Sequence, residues 1–348
     1  MGLFSRRNSE RQVLKAADRL SNQGRHREAI DLLTRANMRE RSAKIEERLV
    51  VLRHEAFFHQ SFSSTLPHWP PPVSDRFVDQ QGIPEIDAEL LSAEILRDGV
   101  FNRGSIIIRG LLPNSDVERL REGIIQTYRH HDLALAGEPT SKTTPWFVPF
   151  QPTPRDGNQD LNRVWFRETG AELAADSPRG LHDLLEIFAA NGIDTLAGDY
   201  LGERPALSVK KTSLRRVPHN QQSENGWHQD GAFLGEGIRT MNLWIALSDC
   251  GVDAPSMDMV PRRLDYIVPT GTEGAMFSWS VSKTQIAEAC GGGEPTHLHF
   301  KAGDAIVFDE MNLHRTSTLP GMTKPRYAIE AWFFAPSCYP LDQIPILI

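Results

Sequence analysis

Two histidines and an aspartate are the first residues able to do chemistry together. In NGWHQDGAFLG (225–235), His228 and Asp230 stand two apart, so on an extended strand both side chains leave from one face and can share an ion. His314 follows the strand-like DAIVFD and would bring a third donor from a strand distant in sequence. Two imidazoles and a carboxylate on one face leave three of six octahedral positions open, the set that suits a non-haem Fe(II) oxygenase. Zinc accepts the same ligands but prefers four-coordination. The plainer reading of the pair is a turn in which Asp230 caps the bend before Gly231. Arg326 opens the alternating strand RYAIEAWFF shortly after His314. Its planar fork of donors would hold a carboxylate in a two-pronged grip; the alternative is an ion pair with a surface acid such as Glu330.

These residues need a scaffold. From Leu207 onward, LSVKKTSLRRV, TMNLWIALSDC, LDYIVP, THLHF, DAIVFD and RYAIEAWFFAP read as short strands bounded by Gly, Pro, Asn or Asp, a pattern that suits a sandwich or barrel. Before them the chain is helical. Ser9 with Gln12 predicts a capping box opening a helix that carries Val13, Leu14, Ala17 and Leu20 to a stop at Gly24. A second helix from about Arg25 and a third from about Ser42 follow. Part of this segment resembles one tetratricopeptide unit, too little for a solenoid. Residues 1–60 are therefore expected to be an accessory helical hairpin with a third helix, available for self-association or a protein partner. Residues 61–86, with HWPPP, are read as a proline-rich connector, and 87–348 as the catalytic domain. Within it, helices are expected over 88–98 and 115–128, with a strand at Ile106–Ile108. The stretch 137–160, holding Trp146, reads as a functional loop. The overall expectation is an α+β chain.

Composition narrows the function. The 348 residues are 40% hydrophobic and 24% charged, ordinary for a globular protein. Lys and Arg number 38 against 45 Asp and Glu, a net charge of -7 that argues against nucleic acid as a partner. Three scattered cysteines predict a reducing, cytoplasmic setting. No apolar run has the length of a secretory or membrane-spanning segment, and Gly2 lacks the Ser or Thr at position six that lipidation of an amino-terminal glycine needs. His130–His131 reads as a solvated or dipole-complementing pair at a helix end, and His297 with His299 as surface residues lacking a carboxylate. The doublets Arg215–Arg216 and Arg262–Arg263 read as solvated faces or an entrance for an anion.

WHQD, the NLWIALSD strand, the MVP turn, GDAIVFD, His314 and Arg326 together resemble the phytanoyl-CoA dioxygenase family of Fe(II)/2-oxoglutarate oxygenases, over roughly residues 100–340. The resemblance implies a double-stranded β-helix, the jelly roll of cupin-like proteins, flanked by helices. It implies Fe(II) on His228, Asp230 and His314, 2-oxoglutarate anchored by Arg326, and O₂ as the oxidant. Asn242 and Trp244 would lie on the strand lining the cosubstrate pocket, with Lys211 or Arg215 close by; Trp146, Phe233 and Arg262 are candidate substrate contacts. Asp230, in place of the small residue of related halogenases, favours hydroxylation of a small molecule. Pro261-Arg262-Arg263 departs from the family's Gly-Ser-His turn, so the substrate is not implied. Two rival readings are a cupin-like metalloenzyme that does not use 2-oxoglutarate and an inactive adaptor acting through its amino-terminal helices.

Overall fold

The computed structural model describes residues 3–154, 159–220 and 226–348; Gly2, Asn225 and residues 155–158 of the 137–160 loop lie outside the described residues. The helices are α1 (Leu3–Asn22), α2 (His26–Arg39), α3 (Ala43–Phe57), α4 (Ala93–Arg103), α5 (Asn114–Leu135), α6 (Thr140–Thr143), α7 (Arg163–Glu168), α8 (Pro178–Ala190), α9 (Ile193–Leu201), α10 (Gly231–Leu234) and α11 (Lys283–Ala289). The strands are β1 (Glu85–Asp87), β2 (Ser105–Arg109), β3 (Ala171–Leu173), β4 (Ala206–Ser208), β5 (Ser213–Val217), β6 (Thr240–Ala246), β7 (Ser256–Met259), β8 (Thr296–His297), β9 (Ala305–Phe308), β10 (His314–Ser317), β11 (Arg326–Phe334) and β12 (Pro345–Leu347).

A large sheet runs β1-β2-β9-β6-β11-β4-β12, with β5 on β11 and β3 on β5; a smaller one runs β10-β7-β8. Apart from the parallel β1–β2 pair the pairing is antiparallel. Period-two alternation divides each central strand between two cores. Leu243 and Ile245 of β6, with Val307 and Ile329, pack under α5, α8 and α9. Trp244 and Ala246, with Ile306, Phe308 and Trp332, face Met257, Met259 and Leu298 of the small sheet. The space between the sheets is the inside of the jelly roll, and the α+β expectation holds.

Ser42 and Ser92 cap α3 and α4 by accepting the amide hydrogens of Ile45 and Ile95. Gly104 ends α4 at φ +88, and a Cβ there would lie 2.8 Å from the carbonyl of Arg262, so only glycine lets the loop after β7 pack this closely.

The amino-terminal helices are built into the body. Ala29, Leu33, Ile45, Leu49 and Leu52 form one cluster with Leu347 of β12. Glu46, fully buried on α3, accepts from Arg179 of α8 at 3.0 Å, from Asn37 at 3.2 Å and from Arg41 at 3.2 Å. Arg41 also reaches Asp183 of α8 at 2.5 Å. The 61–86 stretch is packed too, with the Thr65 amide 2.7 Å from the Gly202 carbonyl and Phe77 in the core.

Some expectations fail. The first helix already runs at Leu3, which puts Ser9 inside it; no Gly or Pro between 3 and 22 stops it earlier. LDYIVP forms no strand: Leu264 and Val268 anchor a satellite core with Trp227, Val281 and Ile286, while Tyr266 and Ile267 are exposed.

Candidate metal centre

His228 and Asp230 lie between β5 and β6. His228 pairs with His314 through reciprocal backbone hydrogen bonds of 3.0 Å. Asp230 then turns helical at φ -64, ψ -27 and opens α10. The two are therefore brought together by a bridge followed by a turn, which corrects the extended-strand expectation. Asp230 makes no capping hydrogen bond, so the cap reading fails.

The ligand-capable atoms of His228, Asp230 and His314 all lie within 4.8 Å of one another. Nδ1 of His228 is 2.7 Å from the Gly226 carbonyl, and Nδ1 of His314 is 3.1 Å from the Asn312 carbonyl. A carbonyl only accepts, so Nδ1 carries the hydrogen and each neutral ring keeps its lone pair on Nε2. Asp230, 2% exposed, accepts from Lys211 Nζ at 2.5 Å through Oδ1. Its Oδ2 is buried without a hydrogen-bond partner among the described residues, 3.8 Å from His314 Nε2. Burial acts to raise the Asp230 carboxyl, but Lys211, then His228 and His314, hold it well below the usual carboxylate range. Burial, then His228, pushes His314 down to about 4. Both shifts keep the deprotonated forms that bind metal. Three converging lone-pair donors, one of them an orphaned buried carboxylate oxygen, fit a divalent cation.

Arg326 is 1% exposed, and its hydrogen bonds among the described residues go to no carboxylate. Its guanidinium donates to the Ser256 carbonyl at 2.7 Å and reaches Thr316 Oγ1 at 3.5 Å, while Nε has no partner. Burial, then Arg215, lowers its pKa to about 9. Glu330 is not on the surface and does not serve Arg326: it accepts from Arg215 at 2.8 Å and from the Trp332 indole at 3.3 Å. A buried, uncompensated guanidinium fits a carboxylate.

Trp244 lies 5.4 Å from that guanidinium, ring to cation. Asn242 is fully buried, paired in register with Phe308 and Trp332, and both its amide atoms lack partners among the described residues. Lys211 and Arg215 also reach this space, although their charges are spent on Asp230 and Glu330. Phe233 of α10 borders His228, with ring centroids 6.2 Å apart. Trp146 instead packs in the helical layer against Gly123 and Arg179, and Arg262 is exposed against Gly104 and Gly291. Neither is placed in contact with the cluster among the described residues.

Three other residues near the cluster carry no sequence signal of their own, except that Thr316, two after His314, shares its strand face. Gln229, between His228 and Asp230, is buried; it donates to the carbonyls of Tyr266 at 3.0 Å and Met311 at 2.7 Å and accepts from the Val268 amide at 2.7 Å. Glu330 is the third. Elsewhere, His131 is buried and shared between both oxygens of Glu172 at 2.8 and 2.9 Å, which overturns the solvated reading. His297 does have a carboxylate: its Nδ1 is 2.7 Å from Asp258, which raises its pKa. It lines a groove of about 790 Å³ on the outer face of the small sheet, together with Trp227 and Arg315, the chain neighbours of two of the clustered histidines.

A family model described as phytanoyl-CoA dioxygenase (PhyH) matches residues 101–319, a span that contains the three clustered residues and ends before Arg326. No curated protein sequence matches. Among solved structures, the chain is similar to AviO1 from Streptomyces viridochromogenes Tue57 (TM-score 0.42, 18% identity, covering 69% of this chain and 93% of that one). It is also similar to EvdO2 from Micromonospora carbonacea var. aurantiaca complexed with 2-oxoglutarate (0.44, 15%, 73% and 92%). A third is SnoK, a non-heme alpha ketoglutarate dependent carbocyclase from nogalamycin biosynthesis (0.44, 15%, 72% and 86%). No helix among the described residues is long and apolar enough to cross a membrane.

Proposed function

The chain belongs to the phytanoyl-CoA dioxygenase family of Fe(II)- and 2-oxoglutarate-dependent oxygenases, and on that premise we propose that it hydroxylates an unactivated C–H bond of a small organic molecule. The observation that carries this reading is the convergence of two oriented imidazoles and an orphaned buried carboxylate oxygen within 4.8 Å, in the same inter-sheet space as an unpaired buried guanidinium. His228 and His314 would hold Fe(II) through Nε2, their Nδ1–H groups fixed on backbone carbonyls. Asp230 would bind through Oδ2, with Lys211 holding the other oxygen and favouring a single-oxygen contact. Arg326, with Thr316, would hold the distal carboxylate of 2-oxoglutarate. His314 and Thr316 share a face of β10 about 7 Å apart, a span that a five-carbon dicarboxylate bridges. When bound, iron and 2-oxoglutarate supply the oxidation of the substrate by O₂ with release of succinate and CO₂. The chain's own part is to orient these groups and keep water out, which Trp244, Phe308 and Trp332 do by filling the inner core.

The test is spectroscopic. Fe(II) and then 2-oxoglutarate are added anaerobically, and the visible charge-transfer band of the chelate is sought, followed by a substrate screen that reads succinate. Metal binding without the band would favour the metalloenzyme that does not use 2-oxoglutarate. Absence of both would favour the adaptor.

A further inference from the structure

Next to His228 the protein surface carries a group of aromatic side chains. Of the exposed Phe, Tyr and Trp side chains among the described residues, Phe233, Tyr266, Phe277 and Trp279 fall in α10 and the loop 262–281; only Trp165 lies elsewhere. Trp279 stands edge-on to His228 with centroids 6.2 Å apart, and Phe277 stacks on Trp279 at 5.2 Å with planes 2° from parallel. Phe233 borders the same histidine from α10. Met276 and Ile267 of the same loop are exposed as well.

This rim is anchored to the proposed metal site. Gln229 ties residues 266–268 to the turn carrying His228 and Asp230, and the Val281 amide donates to the Trp227 carbonyl at 3.0 Å. The Ser280 hydroxyl accepts from the Phe277 amide at 3.1 Å and fixes the Phe277–Trp279 bend. The cations around the cluster are spent internally, Lys211 on Asp230, Arg215 on Glu330 and Arg263 on Asp309. An anionic head group finds no free partner among these three. Ring faces held in this way reward a flat apolar partner, because stacked rings attract one another beyond simple burial.

We propose that the substrate is a neutral aromatic or fused-ring molecule that stacks on the Phe233–Phe277–Trp279 rim and presents a C–H edge toward His228, Asp230 and His314. The inference rests on the oxygenase reading above and adds the substrate class to it. The test uses the full-length protein with Fe(II) and 2-oxoglutarate under anaerobic conditions, titrated with 2-naphthol, 1-octanol or coenzyme A in equilibrium dialysis. Stoichiometric binding of 2-naphthol, at least tenfold tighter than 1-octanol and with none of coenzyme A, is expected. Phe277→Ala/Trp279→Ala should weaken 2-naphthol about tenfold, and Trp279→Phe should recover most of the loss, while the charge-transfer band persists in both. Equal binding of 1-octanol, tighter binding of coenzyme A, or an unaffected double variant would overturn the proposal. So would a concentration-dependent dimer that dissociates in the double variant with 2-naphthol affinity unchanged, since the rim would then be a protein contact. A missing band in the wild type, with rim-dependent naphthol binding intact, would sink the oxygenase reading and spare the rim.

Discussion

Replacing Arg326 by Met should weaken 2-oxoglutarate while leaving the unliganded protein as stable as before, or more so. The guanidinium is buried, makes one good hydrogen bond to the Ser256 carbonyl and a long one to Thr316, and has no carboxylate partner among the described residues. Its charge is therefore uncompensated without a ligand, and removing a charge of this kind in favour of an apolar side chain is often neutral or stabilising. With the ligand in place the balance reverses. A hydrogen bond to a charged group contributes about 1.5–3 kcal/mol, and each 1.4 kcal/mol is about tenfold in affinity, so the Met variant should lose about 10- to 150-fold. Arg326→Lys keeps the charge but loses the fork, and should fall between. Affinity is read anaerobically from the charge-transfer band as 2-oxoglutarate is titrated, and stability from urea unfolding without it. If Arg326 served instead as half of a structural pair, the Met variant would lose about 3–5 kcal/mol of stability and keep its affinity. That outcome would refute the anchor.

His314→Ala should leave a folded chain that no longer retains iron, measured by metal analysis after desalting; full iron with full turnover would contradict the proposed ligand set. Glu310 is pushed up to about 7, by burial and then Asp309. The folded state thus holds this proton while the unfolded chain releases it near 4.5, so stability should fall as pH rises between those values, by at most about 1.4 kcal/mol per unit. Glu310→Gln should flatten that slope in urea melts at pH 5, 6 and 7. Deleting residues 1–57 strips Arg179 and Asp183 of Glu46 and Arg41 and bares the apolar face around Leu347. It should yield insoluble or unfolded protein, and a truncated chain with an unchanged melting temperature would show that the packing contributes nothing.

The clustering of His228, Asp230 and His314 was legible in the sequence because WHQD is local and His314 follows an apolar run, although the geometry that joins them is a bridge and a turn rather than one strand. Arg326 was legible through its strand; its freedom from Glu330 was not, because which side chain Glu330 meets depends on β5 lying across from it. The pairing of His131 with Glu172, 41 residues apart, has no local signature at all. LDYIVP misled because Leu264 and Val268 are apolar for a satellite core, and Tyr266 and Ile267 for the rim, so two unrelated demands produced a strand-like run. The fate of residues 1–60 was hidden for a similar reason: a helix whose apolar stripe meets another helix reads the same as one whose stripe meets β12.

That last contact also bears on the order in which the chain can fold. His54 donates to the carbonyl of Pro345 at 2.9 Å and Arg53 to that of Leu347 at 2.9 Å, across separations of 291 and 294 residues. During vectorial synthesis α3 is made long before β12, so its apolar stripe and the buried Glu46 await partners through most of elongation. The earliest-made helices would then be among the last to become protected. In pulse-labelled hydrogen exchange during refolding, α3 amides should gain protection together with β12 and after β6, β9 and β11. Chaperone demand in the cell would concentrate on the nascent amino-terminal segment rather than on the jelly roll that follows it.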